Sequence, residues 1–456
     1  QLANLDMISP RTSSCIDRVN QYKFTNSASS NSNSVNTKSS SQSNFSLDRQ
    51  VQELKDRVHH DAERVDEAFR VGVEVEACLL DEKGIPVTAE PLIKELAGTT
   101  YEIDYEYGAC QFEYKTSPVG MNNLDYLNIV FEQFIESLDR FIKKAYKEKE
   151  VIPVFLGANP SPEIMKEGLI TNKPRYNKLA DWQNSLPDVE IEGYNFRAAY
   201  VATAIQGFHL HLQGKNPKNT TIMFNHILNI IPSAIVLGAN SRLFAGRVYS
   251  LHEPRIHLYD QSEQQNSGFP AIPRYLDGIG DYMDYTTSRE PKIAKDYFEL
   301  EKERHDDARI RIGPDSYRVE TRIMSVQPTS KSLMAMAEFF IGYLSRAIHE
   351  ERELRALATL REERMAAVRS GYYAKTHFNI VDTIKAQLDF ARKGLSDLGV
   401  NAEFLNILDK RIENRNTPGE YVAKLWSKKF NGSVNETIYE IISDIWQKTK
   451  DNQPIT

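Results

Sequence analysis

Apolar and polar residues alternate along VGVEVEACLL (71–80), YEIDYEYGACQFEYKT (101–116), AIQGFHLHLQ (204–213) and DSYRVETRIMSV (315–326), and VIPVFLG (151–157) is a short apolar run. A period of two predicts strands with one buried face. DEKG (81–84) reads as a turn after the first of them. The period lengthens to about four in VQELKDRVHHDAERVDEAF (51–69), where Asp48 is a candidate cap, then from Asn123 to Lys149 and around 219–239. Helical spacing returns over 331–367, 376–396, 402–414, 418–428 and 434–449. Strands early and helices late predict an α+β fold with a mainly antiparallel sheet and a helical C-terminal half. Residues 240–300 exceed ordinary loop length and predict a functional loop holding short elements.

Residues 25–46, TNSASSNSNSVNTKSSSQSNFS, contain almost nothing that could offset the entropy of ordering, so residues 1–48 read as a disordered Ser/Asn-rich tail. No linker divides the rest. Residues 49–456 read as a single domain, strand-rich over 70–327 and helical over 328–450.

Composition narrows the function. The 456 residues are 41% hydrophobic and 26% charged, with a formal net charge of −7, which gives no basic footprint for nucleic acid. Cys15, Cys78 and Cys110 are the three cysteines, in no paired or metal-like spacing. The apolar stretch Ile222 to Ala239 contains Asn225, His226, Asn229 and Pro232, so it reads as a buried helix and not a membrane span. With no secretory signal pattern, a cytoplasmic protein is the expectation. The charged run HEERELRALATLREERMAAV (349–368) reads as a solvated, salt-bridged helix face and as a possible contact between copies in a homo-oligomer.

The strands have unusual polar faces. Glu74 and Glu76 share one face, roughly 6.5–7 Å apart by strand rise. His209, His211 and Gln213 share another; Arg318, Glu320 and Arg322 a third; Gln111, Glu113 and Lys115 a fourth. Any one of these fits a wet strand face. Four rich in Glu, His, Gln and Arg suit hard cations, carboxylates and phosphates. If the sheet curls, they converge into a polar funnel. Glu106 lies seven residues before Glu113, and Gly108 between them could reset the register so that both point inward. Five carboxylates, Glu74, Glu76, Glu106, Glu113 and Glu320, cannot all stay ionised side by side without cations. Mg²⁺ is the economical ion; zinc on the HxH of GFHLHLQ is the competitor. There is no GxxxxGK[ST] and no GxGxxG between a strand and a helix, which argues against P-loop and kinase chemistry.

In order along the chain, VGVEVEACLLDEKG (71), CQFEYKTSPV (110), GFHLHLQ (207), ANSRLFAGR (239) and YRVETRIMSVQPT (317) resemble the second glutamate–cysteine ligase family, and REERMAAVRSGYYA (361) and RIENRNTPGEY (411) look like its helical portion. The resemblance covers roughly residues 70–430. It implies a glutamine-synthetase-like fold, in which a curved, mainly antiparallel sheet forms a funnel for ATP, its metal ions and an amino acid. Residue by residue it implies metal and ATP binding by Glu74, Glu76, Glu106, Glu113, His209 and Glu320, and contact of Arg322 with the transferring phosphate or the substrate carboxylate. Arg255 is a looser match for substrate binding; Arg247, Arg274 and His211 are further candidates. Arg242 and Ser325 depart from the family's pattern, which has Pro and Asp at these positions.

The implied chemistry is ATP- and Mg²⁺-dependent glutamate–cysteine ligation. A carboxylate becomes electrophilic by phosphorylation, and the amine attacks the γ-glutamyl phosphate. The alternatives are the same chemistry on another amine or acid, and a non-catalytic homologue. The 240–300 segment is the candidate cover that excludes water.

Overall fold

The computed structural model describes residues 39–64, 69–165, 169–264, 267–314, 316–350 and 352–456. Eight strands form one sheet: β1 Arg70–Asp81, β2 Glu102–Tyr105, β3 Gln111–Lys115, β4 Val119–Gly120, β5 Val151–Val154, β6 Phe208–Gln213, β7 Ala308–Ile312 and β8 Tyr317–Thr321. Its order is β7-β8-β6-β1-β3-β2, with β4 and β5 also paired to β1, and every pair is antiparallel. The fold is α+β with a mainly antiparallel sheet, as the alternation predicts. The span read as one strand, 101–116, divides into β2 and β3 around a turn in which Gly108 N–H donates to Gln111 Oε1 (2.8 Å).

Register explains the core. Val71, Leu212, Val319 and Ile310 stand opposite one another across four strands, and Val73 pairs with Leu210 and Val75 with Phe208. All eight are buried. This apolar face packs against the helices Pro217–Gly238 and Ser330–His349. Pro217–Gly238 starts at Asn216, whose side chain accepts from Asn219 N–H, with Pro217 in the first turn where its missing donor is harmless. It is long and apolar enough to cross a membrane, and 94% of its apolar window is buried inside the protein. Ser330–His349 crosses Ile380–Asp397 backbone to backbone. A methyl group on Gly342 would strike the Ala391 carbonyl, and one on Gly394 the Gly342 carbonyl.

Several boundaries differ from the sequence reading. The N-terminal helix runs Ser39–His60, so Asp48 is interior to it and not its cap; the tail's residues 1–38 lie outside the described residues. The expected helix 331–367 is two, Ser330–His349 and Leu357–Ser370. Between them Arg355 is held extended: its N–H donates to Asn229 Oδ1 and its carbonyl accepts from the Tyr275 hydroxyl. The charged run is not simply a solvated face, because Glu363 and Arg364 are buried. The 240–300 segment contains the helices Pro254–Glu263, Ile279–Thr287 and Tyr297–Lys302. Helices Glu90–Leu96 and Pro174–Asn184 and strand β7 had no counterpart in the periodicity reading.

Candidate active site

On the face opposite the core, the register lines up chemistry. Glu76 stands opposite Glu113, and Glu113 opposite Asp104. Glu74 lies between His209 and Lys115. Glu320 lies between His211 and Arg309. Strand pairing alone therefore gathers residues from 74 to 320 into one polar surface with an acidic end on β1, β2 and β3 and an arginine-rich end on β7 and β8.

At the acidic end, His209 Nδ1 is 3.3 Å from Glu74 Oε2, and His211 Nε2 is 3.2 Å from Glu74 Oε1. Burial works against ionised Glu74, but His211 and His209 together hold its carboxyl well below the usual range. Burial lowers His209, as does Arg322, which favours the neutral ring. With Nδ1–H directed at Glu74, the lone pair of Nε2 is free. That nitrogen is buried and without a hydrogen-bond partner, 3.7 Å from Glu76 Oε1. Glu76 accepts a 2.5 Å bond from Gly207 N–H. A methyl group at Gly207 would sit 2.5 Å from His209 Nε2 and 2.7 Å from Arg255 Nη2, so glycine there lets the three groups converge. Glu113 is buried and raised well above a carboxylate's ordinary value by burial, then by Glu74 and Glu106, even with Lys115 at 2.8 Å. Glu106 follows β2 directly, and burial and Glu76 push it up to about 7.

Two sets of groups here bring donor atoms within 4.8 Å of one another: Glu76, Glu113 and His209, and Glu74, His209 and Glu320. The first fits a divalent cation. It presents an orphaned imidazole nitrogen and carboxylates that repel one another, and Glu74 orients the imidazole from behind. The second fits less well. Glu320 Oε1 accepts from Arg309 Nη2 (2.8 Å) and Arg322 Nη1 (2.5 Å), and Oε2 from Arg309 Nε (2.9 Å) and Arg311 Nη1 (3.3 Å). Those four contacts match the lone-pair capacity of a carboxylate, so Glu320 would have to release an arginine to bind metal. Burial opposes its charge, but Arg309 and Arg322 hold its pKa well below the ordinary value. Of the five carboxylates expected to need metal, Glu320 is thus the one already balanced by arginines.

Arg322 and Arg255 line one cavity with Tyr259, His305, Asp307 and Arg364. Arg255 is buried and donates to the carbonyls of Ile323 and Arg322, both at 3.2 Å. His211 Nδ1 accepts from Arg318 Nε (3.2 Å). Arg247 does not join this surface; it is exposed on the short hairpin Leu243–Val248, its guanidinium 3.8 Å from the Tyr194 ring centroid. Arg274 is also exposed and pairs with Asp277 and Asp281. Arg242 pairs with Glu420, and Ser325 donates to Glu253, a buried carboxylate that Ser241 also contacts. Arg309 and Arg311 escaped the sequence reading, although ARIRI alternates as plainly as the other strands.

The glutamate-cysteine ligase family 2 model matches residues 70–425, and the chain belongs to that family. Among solved structures, the glutamate–cysteine ligase of Francisella tularensis in complex with AMP is similar at a TM-score of 0.58 and 12% identity, covering 86% of this chain and 91% of that one. A bifunctional glutathione synthetase from Pasteurella multocida aligns at a TM-score of 0.57 and 12% identity over 88% of this chain and 54% of that longer one. At these identities the likeness is one of fold. No curated protein matches the chain in sequence.

Proposed function

We propose that this protein is an ATP-dependent ligase that joins the γ-carboxylate of glutamate to the amine of cysteine. The observation that carries the reading is the division of one sheet face into an acidic end and an arginine end, which suits transfer of a phosphoryl group between ATP and a carboxylate. Glu76, Glu113 and His209 would hold Mg²⁺, with Glu74 orienting His209 and Glu106 adding charge beside Glu76. The ion would neutralise phosphate charge when bound. Arg322, fixed by Glu320, is placed to face the transferring phosphoryl group. Arg309 and Arg311 keep Glu320 ionised and rigid. The buried Arg255, behind Arg322, completes the wall that faces the glutamate carboxylates. The γ-carboxylate oxygen takes the γ-phosphoryl group of ATP and ADP leaves; the amine of cysteine then attacks the γ-glutamyl phosphate, the C–N bond forms, phosphate leaves with the C–O bond pair, and the amine gives up a proton.

The test is ADP release by the purified protein with Mg²⁺, ATP and glutamate, with cysteine and with a panel of other amines, against a Glu76→Gln control. Cysteine-dependent ADP release with γ-glutamylcysteine as product, lost in the control, is the expected result. Turnover with a different amine or acid would keep the chemistry and replace the substrates. No ADP release under any pairing would overturn the reading in favour of a non-catalytic member of the family.

A further inference from the structure

A buried chain of polar contacts links the two ends of the site from behind. Tyr107, which follows Glu106 in the chain, donates its hydroxyl to Gln183 Oε1 (2.9 Å), and Gln183 Nε2 donates to Glu263 Oε1 (2.6 Å). Glu263 Oε2 pairs with Lys292 and lies 3.3 Å from His305 Nδ1. The His305 ring packs on Tyr259, 5.7 Å between centroids, in the wall that holds Arg255 and Arg322. Gln183 has no exposed surface, and Glu263 is 1% exposed. Gln183 bonds to both sides, through its carbonyl to Tyr107 and through its amide to Glu263, which carries the path on to His305.

The helix that carries Gln183, Pro174–Asn184, is pinned to the same turn at its other end. The Tyr176 hydroxyl donates to the Tyr105 carbonyl (3.4 Å), and just before the helix the Thr171 hydroxyl donates to the Glu106 carbonyl (2.5 Å). At the far end, the Lys292 ammonium lies 4.5 Å from the Trp182 ring centroid. Such a buried network holds its ends rigidly when every member is satisfied and loosens them together when one is lost.

We propose that Gln183 is a positioning residue that ties the Glu106 turn to the Arg255–Arg322 wall, and that this tie keeps ATP cleavage coupled to ligation. The inference rests on the proposed ligase function. An acyl phosphate formed between two ends that drift apart waits longer for its amine and is hydrolysed: water attacks, the carboxylate is regenerated and phosphate leaves, so ADP accumulates without product.

The experiment compares Gln183→Met, which keeps the volume and removes both hydrogen bonds, with Tyr107→Phe, which removes one hydroxyl. The ratio of ADP to γ-glutamyl product is expected to rise at least threefold in Gln183→Met and less in Tyr107→Phe, with ADP release itself within about twofold of the unmodified protein. A fall in both rates at an unchanged ratio means general structural damage and overturns the proposal, as do unchanged rates and ratio. Amide hydrogen exchange gives a readout independent of activity: in Gln183→Met, residues 105–109 and 303–307 should lose protection together. Protection unchanged in either segment overturns the tie even if the unmodified protein makes no product, whereas lost protection without ADP release by any variant would count against the ligase reading alone.

Discussion

The two ends of the polar sheet face treat negative charge in opposite ways. On β8, Glu320 is fully buried and ionised because three arginines surround it. On β1 and β3, Glu76 and Glu113 stand directly opposite each other with Glu106 close by, and a single lysine pairs with Glu113. The arginine end is balanced by the protein itself; the acidic end keeps carboxylates that the protein balances only in part. A buried carboxylate is therefore a poor indicator of a metal site until its cationic neighbours are counted.

Changing one charge at each end tests this contrast. Glu320→Gln leaves Arg309, Arg311 and Arg322 crowded without their shared counter-charge, and is expected to lose about 3–5 kcal/mol of stability along with activity. Urea unfolding measures it; a loss below about 1 kcal/mol would mean that the arginines are balanced elsewhere. Gly207→Ala acts on the junction of the two ends by driving a methyl group between His209 and Arg255. Its expected cost is about 1–3 kcal/mol of overpacking, with turnover reduced at least tenfold. Retention of full turnover would show that this convergence does not matter to the reaction. Glu76→Gln is expected to have the smallest effect on the metal-free protein, within about 1 kcal/mol and in the stabilising direction, since it relieves repulsion with Glu113 and Glu106. Mg²⁺ is expected to raise the thermal midpoint of the unmodified protein and not that of this variant. If the metal-free variant is instead as damaged as Glu320→Gln, the acidic end carries its own balance and the contrast fails.

Much of this arrangement was legible in the sequence. Alternation exposed β1, β3, β6 and β8 and put Glu74, Glu76, Glu113, His209 and Glu320 on polar faces, because a period of two fixes sidedness without tertiary information. Glu106 needed the break at Gly108, and it is among the groups that raise Glu113. Arg247 lies away from this surface, and nothing in its short segment says which way a hairpin points. Helix Pro174–Asn184 was missed because its apolar pattern is weak, and Gln183 because a buried polar residue is defined by distant partners, here Tyr107 and Glu263. The balance around Glu320 was hidden for a related reason. Arg309 and Arg311 were visible as residues, but which carboxylate they serve is decided by the pairing of β7 with β8.

The crossing of Ser330–His349 with Ile380–Asp397 bears on how this sequence can drift. Gly342 and Gly394 lie where the other helix's backbone leaves no room for a methyl group, and they are 52 positions apart. Neither can be replaced while the other helix stays in place, and replacing both would worsen the collision. In a saturation library the two should therefore behave as a locked pair, intolerant of any side chain and beyond mutual compensation, although neither has any chemistry to contribute. Invariance at such positions among descendants of this chain would record the spacing of two helices and nothing about the reaction.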